Sequence, residues 1–147
     1  MQRWTDLHLT PCFEVTIKND VSLIGLGALL LGPKQRQDHC WEEFIRRGCG
    51  TSVLEAGTQF QTLHERCKHF NPDGPTRMIA VRMRVKKVTE TSARLSFDHV
   101  ALALERGSES LMSTCERDVV YVQQFGSRLL PKQWPEEIKA QLVKFLC

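Results

Sequence analysis

Apolar and polar residues alternate with a period of two in the second half of the chain. From Ile79 to Val85 every second residue is apolar, whereas Arg82 and Arg84 fall on the opposite face. This alternation is typical of a β-strand that buries one face and exposes the other.

Two irregularities interrupt the runs that follow. In the second run, the apolar residues are in phase over 93–97, and the phase then slips by one residue across Asp98 and His99. A β-bulge absorbs a slip of this kind. The third run has a centre, 114–118, that is unusually polar for a core strand. Because short turns join the three runs, the region 76–130 predicts an antiparallel meander.

One amphipathic helix is predicted before this meander. It spans about 35–47, because Cys40, Trp41, Phe44 and Ile45 share one stripe, and Gly48 is its expected stop. The order β-α-β followed by β-β-β predicts an α+β protein whose antiparallel sheet can wrap one long helix. The other predicted elements are a strand at 11–18, a glycine-containing apolar loop at 21–31, a strand-like region at 51–70 broken at Ala56-Gly57, a turn at 71–75 and a C-terminal helix led by Pro135.

Composition limits the protein to ordinary globular classes. A chain of 147 residues with 41% hydrophobic and 25% charged residues is expected to form one domain, 1–147, with its own core. A net charge of +3 is too small to indicate nucleic-acid binding. The apolar run at 21–31 is about half the length of a membrane-spanning helix, so we expect no membrane span and a cytoplasmic protein.

The six cysteines show no C-x-x-C motif and no compact spacing. In a cytoplasmic protein they are expected to be reduced and mostly buried thiols. Cys67 and His69, with Glu65 beside them, are too few to specify a metal site, and neither a metal nor a cofactor is expected. Cys67 with His69, or His39 with Cys40, are weaker candidates for a nucleophile and base.

At the level of motifs, residues 78–104 resemble the central strands of the hotdog thioesterases that accompany enediyne polyketide synthases, a branch of the 4-hydroxybenzoyl-CoA thioesterase-like group. The resemblance spans roughly 13–141. Its motifs are "AVRMR" at 80–84, "T-x-T" at 89–91, "F-D" at 97–98, "CWEEFI" at 40–45 in the central helix, and "QTLHERCKHF" at 61–70, which matches the strand with the family's active-site threonine.

This resemblance implies a hotdog fold, in which an antiparallel sheet wraps one central helix and a C-terminal helix follows. It also implies hydrolysis of a polyketide or fatty acyl thioester, carried by acyl carrier protein or coenzyme A, with release of a free acid such as a β-keto acid. Backbone amides near the helix start would polarise the thioester carbonyl. The implied catalytic residues are Ser22, Thr62 and Asp20, and the implied oxyanion or substrate-binding residues are Gly25, Gly27, Trp41 and Glu42.

Three positions depart from the family pattern. Ser22 stands where the group carries Asp or Asn, and a hydroxyl is no carboxylate base, although it can hold a water molecule. Leu31-Gly32 replaces a segment with a tyrosine, and Trp41 replaces an arginine. Two hypotheses therefore stay open. The protein is a thioesterase that positions water with these side chains and backbone amides, or it binds an acyl chain or a polyketide synthase partner without catalysis.

The resemblance also implies an oligomer. A hotdog sheet leaves a long edge and an incomplete site, so a homodimer is the expected minimal unit and a homotetramer is expected beyond it. Glu42 matches the family's helix glutamate, and its expected partner on an exposed face is Arg46, four residues on.

Overall fold

The computed structural model describes residues 11–18, 32–50, 54–70, 78–103 and 108–147. Six strands and two helices lie in these ranges. They are β1 (Phe13–Lys18), α1 (Pro33–Gly48), β2 (Thr58–His69), β3 (Met78–Val88), β4 (Ser92–Ala103), β5 (Ser108–Phe125), β6 (Arg128–Pro131) and α2 (Glu136–Lys144).

The six strands form one antiparallel sheet in the order β1-β3-β4-β5-β2, and β6 pairs with the end of β5. The predicted meander is confirmed, because β3 pairs with β4 and β4 pairs with β5 in chain order. The predicted strand at 51–70 is shorter than expected, since β2 begins at Thr58 after the positive-φ Gly57. Within the described ranges, neither helix has the length and apolarity needed to cross a bilayer.

The core lies between α1 and one face of the sheet. The predicted helix stripe is confirmed, since Cys40, Trp41, Phe44 and Ile45 are all buried against the sheet. Pro33 stands at the helix start, where its missing N–H costs no hydrogen bond. The helix includes Gly48, and the residue that takes the left-handed conformation after it is Gly50, at φ 78°.

β3 differs from the prediction because both of its faces are buried. Arg82 and Arg84 face away from α1 as expected, yet they are only 7% and 4% exposed. Arg82 donates to Glu109, and Arg84 donates to Asp98 at 2.9 Å. Carboxylate partners on β4 and β5 therefore let these charges lie in a buried layer that the alternation pattern alone assigns to solvent.

The irregularity predicted in β4 is a bulge in the neighbouring strand β5. β4 pairs with β3 without a break at this point, Val81 facing His99 and Ala80 facing Val100. The register shifts between β4 and β5 instead, where Met112 is the extra residue between the partners of His99 and Val100. His99 consequently stays in the row of side chains that faces the helix, fully buried.

Candidate functional site

A group of buried polar side chains lies beneath the first turns of α1. We call it the helix-start cluster. Five of its members are buried, and four of these are polar or charged, although such side chains are rarely found in a helix–sheet core. The cluster consists of Arg36, Gln37 and Asp38 on α1, Glu65 and Cys67 on β2, His99 on β4, and Cys115 and Arg117 on β5.

His99 joins the sheet to the helix start. The Nε of Arg36 donates a hydrogen bond to Nδ1 of His99 over 3.0 Å. Burial, reinforced by the charge of the Arg36 guanidinium, lowers the pKa of His99 to about 3. His99 is therefore a neutral imidazole at physiological pH, and its Nδ1 is already occupied.

The other ring nitrogen of His99 meets the amide of Gln37. Since Nδ1 accepts from Arg36, the proton of the neutral ring is on Nε2. Nε2 lies 3.2 Å from the amide nitrogen of Gln37, and two donors cannot bond to each other. Among the described residues, the buried Oε1 of Gln37 has no partner. A half turn of the amide brings Oε1 to the Nε2–H group and satisfies both, so we assign that orientation.

Arg117 ties three elements together. Its side chain is 2% exposed, and it donates to Asp38 on α1 at 2.7 Å and to Glu65 on β2 at 3.0 Å. The guanidinium also lies 5.5 Å from the ring centre of Phe97. A bulge between Leu63 and Arg66 lets the edge strand present Glu65 to this arginine.

Cys67 and Cys115 form a disulfide across β2 and β5, so the expectation of six reduced cysteines is wrong for this pair. The two residues face each other directly in the register of the strands, which brings their Cα atoms to 4.1 Å. Their separation of 48 residues along the chain gave no signal in the sequence, because only strand pairing brings them together. The side-chain amide of Gln37 also lies close to this disulfide, 3.8 Å from the Cys67 sulfur.

Helix α1 covers the sheet up to β5 and leaves β2 exposed. Val119, Arg117 and Cys115 of β5 are buried, whereas their helix-facing neighbours on β2 are exposed from Gln61 to His69. Thr62 pairs with Val119 and therefore shares the helix-facing side of β2 with Glu65. The edge strand thus presents a polar row beside the helix-start cluster.

The residues predicted for the site fall into three groups. Asp20, Ser22, Gly25 and Gly27 lie outside the described residues, so their catalytic and oxyanion roles stay predictions. Thr62 is exposed on β2, on the helix-facing side as described. The third group is on α1, where Trp41 and Glu42 are adjacent and point to different environments.

Trp41 belongs to the aromatic core. It is 6% exposed, stacks on Phe44 at 5.5 Å and meets Phe60 edge-on at 5.2 Å. Glu42 is exposed, and the expected pair with Arg46 is wrong, because Arg46 and Arg47 both bind Glu43 instead. A substrate-binding role for Trp41 and Glu42 stays a prediction.

The two cysteine–histidine pairs considered as nucleophile and base do not form such a site in the structure. Cys67 is disulfide-bonded and so offers no free thiol in this state. Cys40 is fully buried while His39 is exposed, as expected of neighbours on a helix, and burial raises the pKa of Cys40. In the parts of the chain that are described, no group of three histidines, cysteines or carboxylates is arranged to hold a metal ion.

Sequence reasoning missed Arg36, Gln37, His99 and Arg117 as members of the site. Two signals were present. The phase slip at Asp98-His99 and the polar centre of the third run mark the places where His99 and Arg117 enter the core. Together, these two signals indicate a buried polar layer across neighbouring strands. No comparable signal exists for Arg36 and Gln37, because the start of an amphipathic helix is commonly polar.

No family model and no curated protein matches the sequence. Solved structures do match. The dynemicin thioesterase aligns with a TM-score of 0.78 and 18% identity, over 93% of this chain and 99% of its own. 4-Hydroxybenzoyl-CoA thioesterase from Pseudomonas sp. strain CBS-3 aligns with a TM-score of 0.70 and 12% identity, over 88% and 98%. A Staphylococcus aureus protein in complex with CoA aligns with a TM-score of 0.69 and 16% identity, over 92% and 84%.

These alignments cover nearly the whole chain at low identity, so they compare folds rather than residues. They include the sheet order, the long helix on one face and the C-terminal helix described above. The resemblance inferred from the strand motifs is confirmed at this level. The chain has the α+β hotdog fold of these thioesterases.

Proposed function

We propose that this protein hydrolyses an acyl thioester. The observation that carries the proposal is the placement of a buried, charged cluster at the start of the central helix of a fold that aligns with thioesterases over 93% of the chain. Charged groups are costly to bury, and clusters of this kind in a binding fold are candidates for function.

The helix start favours the chemistry electrostatically. The first N–H groups of any α-helix have no acceptor within the helix, which makes that end partly positive. No acidic side chain occupies the first turn of α1. An oxyanion that develops from the thioester carbonyl near this end would be stabilised, and one well-placed donor contributes about 3 kcal/mol to the transition state.

Asp38 is the described carboxylate best suited to activate water. Arg117 fixes one of its oxygens, while 46% of the side chain remains exposed to solvent. His99 is less suited, because both ring nitrogens face Arg36 and Gln37. We include Ser22, Asp20 and Thr62 in the proposal as groups that position water, with Gly25 and Gly27 as oxyanion positions and Trp41 and Glu42 near the substrate.

The carrier of the acyl group is proposed to be coenzyme A or an acyl carrier protein. Support for coenzyme A comes from the Staphylococcus aureus protein solved in complex with CoA. Support for a polyketide chain of the enediyne type comes from the dynemicin thioesterase and its polyene binding. We further propose that the protein is cytoplasmic and forms a homodimer or homotetramer. The oligomer is supported by the two edge strands, since in the described part β1 and β2 each have one backbone edge without a partner strand. A monomer in light scattering at micromolar concentration would contradict the oligomer.

The test is a panel of acyl-CoA and acyl-N-acetylcysteamine thioesters in which the released acid is quantified by mass spectrometry. Detection of free thiol is avoided because the protein contains a disulfide. We expect Asp38→Asn, Ser22→Ala and Thr62→Ala each to lower kcat/KM at least about tenfold. Glu43→Gln is a matched variant of a carboxylate on the same helix, where Glu43 pairs with Arg46 and Arg47, and it should change kcat/KM less than Asp38→Asn does.

Two observations favour the alternative, a protein that binds an acyl chain or a polyketide synthase partner without cleaving it. The charged groups of the helix-start cluster bind one another, and Ser22 stands at the position where a carboxylate or amide is expected. If no thioester is cleaved while a long acyl chain raises Tm, the binding function replaces hydrolysis. Unchanged rates in all three variants would remove these residues from the mechanism.

A further inference from the structure

The Cys67–Cys115 disulfide belongs to the helix-start cluster, to which the proposed function assigns thioester hydrolysis. Cleavage of a thioester frees the thiol of its carrier, and Cys67–Cys115 joins β2 to β5 beneath the first turns of α1. We propose that this disulfide is a thiol-exchange site, at which a low-molecular-weight thiol such as coenzyme A forms a mixed disulfide with Cys67. The identity of the thiol rests on the proposed function, whereas the exchange reaction does not.

The two sulfurs differ in accessibility, which sets the direction of attack. Cys115 is fully buried in the core, whereas Cys67 lies on the exposed edge strand. An incoming thiol therefore reaches the Cys67 sulfur and is kept from the Cys115 sulfur. Association of β2 with another strand would use its backbone groups, and the Cys67 side chain would remain on the helix-facing side.

The leaving group has a cation on its own strand. Arg117 follows Cys115 by two residues, and both side chains are buried on the helix-facing side of β5. The positive charge of the guanidinium favours the transfer of negative charge to the departing sulfur of Cys115. Disulfides that are exposed to solvent are more readily exchanged than those buried in a core.

The exchange needs no external oxidant. The thiolate of the incoming thiol attacks the sulfur of Cys67, and a new S–S bond forms as the Cys67–Cys115 bond breaks. The electron pair of the broken bond goes to the sulfur of Cys115, which then takes a proton. Attack by Cys115 on the mixed disulfide reverses the reaction and expels the small thiol. Each step therefore breaks one S–S bond and forms one, and the number of disulfides does not change.

The experiment uses the oxidised full-length protein and one equivalent of reduced coenzyme A under anaerobic conditions, with no thioester present. The reaction is quenched with acid, free thiols are alkylated, and peptides are mapped by mass spectrometry. All six cysteines lie in the described ranges, and the four others are free thiols, which can acquire coenzyme A only by later exchange with the first adduct, so the reaction is sampled at early times. We expect an adduct on Cys67 and a newly alkylated Cys115, with Cys67 modified at least about tenfold more than Cys115.

Three controls define the outcome. Desulfo-coenzyme A, which has no thiol, should give no adduct. Cys67→Ser should remove the adduct, while the matched variant Cys147→Ser, at an exposed free cysteine, should keep it. Mapping of the unmutated protein identifies the modified sulfur even if Cys67→Ser folds poorly.

A parallel reaction with glutathione distinguishes the source of the thiol. Faster exchange with coenzyme A supports the carrier thiol, and equal or faster exchange with glutathione supports the general thiol pool of the cell. The absence of any adduct, or an adduct only on Cys115, would overturn the exchange site. Because hydrolysis plays no part in this assay, a protein that exchanges thiols but cleaves no thioester would disprove the proposed function alone.

Discussion

The ion pairs of Arg117 predict an asymmetry between two sets of variants. Arg117 is 2% exposed, whereas its partners Asp38 and Glu65 retain 46% and 25% of their side-chain exposure. Removing both carboxylates leaves a buried guanidinium without its two charged partners. Removing the arginine leaves two carboxylates that already reach water. The same two contacts are lost in both cases, yet the groups left behind differ.

The magnitude follows from the cost of an uncompensated buried charge. The double variant Asp38→Ala with Glu65→Ala should lose about 3–5 kcal/mol of unfolding free energy. Arg117→Met replaces the buried charge with an apolar chain of similar length, a change that is often neutral or stabilising, so we expect a loss of no more than about 2 kcal/mol. For a chain of this size 1 kcal/mol corresponds to about 3 °C in Tm, so the double variant should melt about 10 °C lower than the unmutated protein.

The assay is urea denaturation followed by circular dichroism, with the disulfide kept oxidised in every sample. The single variants Asp38→Ala and Glu65→Ala test whether each carboxylate can support the arginine alone. Glu43→Ala is the matched control, because Glu43 forms two ion pairs with exposed arginines on α1 and should lower the urea midpoint much less than the double variant does. If Arg117→Met is more destabilising than the double carboxylate variant, the buried charge does not dominate this cluster.

Three further predictions concern stability. Burial and Arg36 hold the pKa of His99 at about 3, below its ordinary 6.5, so the unfolded chain binds the extra proton between these values and stability falls as pH drops below about 6.5. Unfolding free energies from urea titrations at pH 7, 6 and 5 should fall less steeply in His99→Gln, by up to about 1.4 kcal/mol per pH unit, and parallel profiles would contradict the neutral buried ring. Reduction of Cys67–Cys115, which are 48 residues apart, should cost about 4 kcal/mol and lower Tm, while a variant lacking both cysteines should melt at the same temperature with and without dithiothreitol. Phe44→Ala, at a core ring 1% exposed, should cost about 3–5 kcal/mol by calorimetry, and Phe125→Ala, 54% exposed, should cost about 0.5 kcal/mol; equal losses would place Phe44 outside the core.

Local patterns in the sequence located the main elements of the fold. Period-two alternation located β3, the helical stripe located α1, and Pro135 and the residues after it located α2, because local periodicity reflects which face of an element is buried. The motifs in the meander also led to the correct fold, since the strand pairing they imply is sequential and needs only short turns.

Tertiary structure alone decided the composition of the site. His99, Arg117 and Cys115 are polar or reactive residues on separate strands, and their burial depends on partners that come from α1 and β2. The pairing of Cys67 with Cys115 depends on the register between β2 and β5, which no local pattern specifies. The pattern within one element indicates only which of its faces is buried. A buried charge is stable only when other elements supply its partners, and the sequence pattern does not specify these.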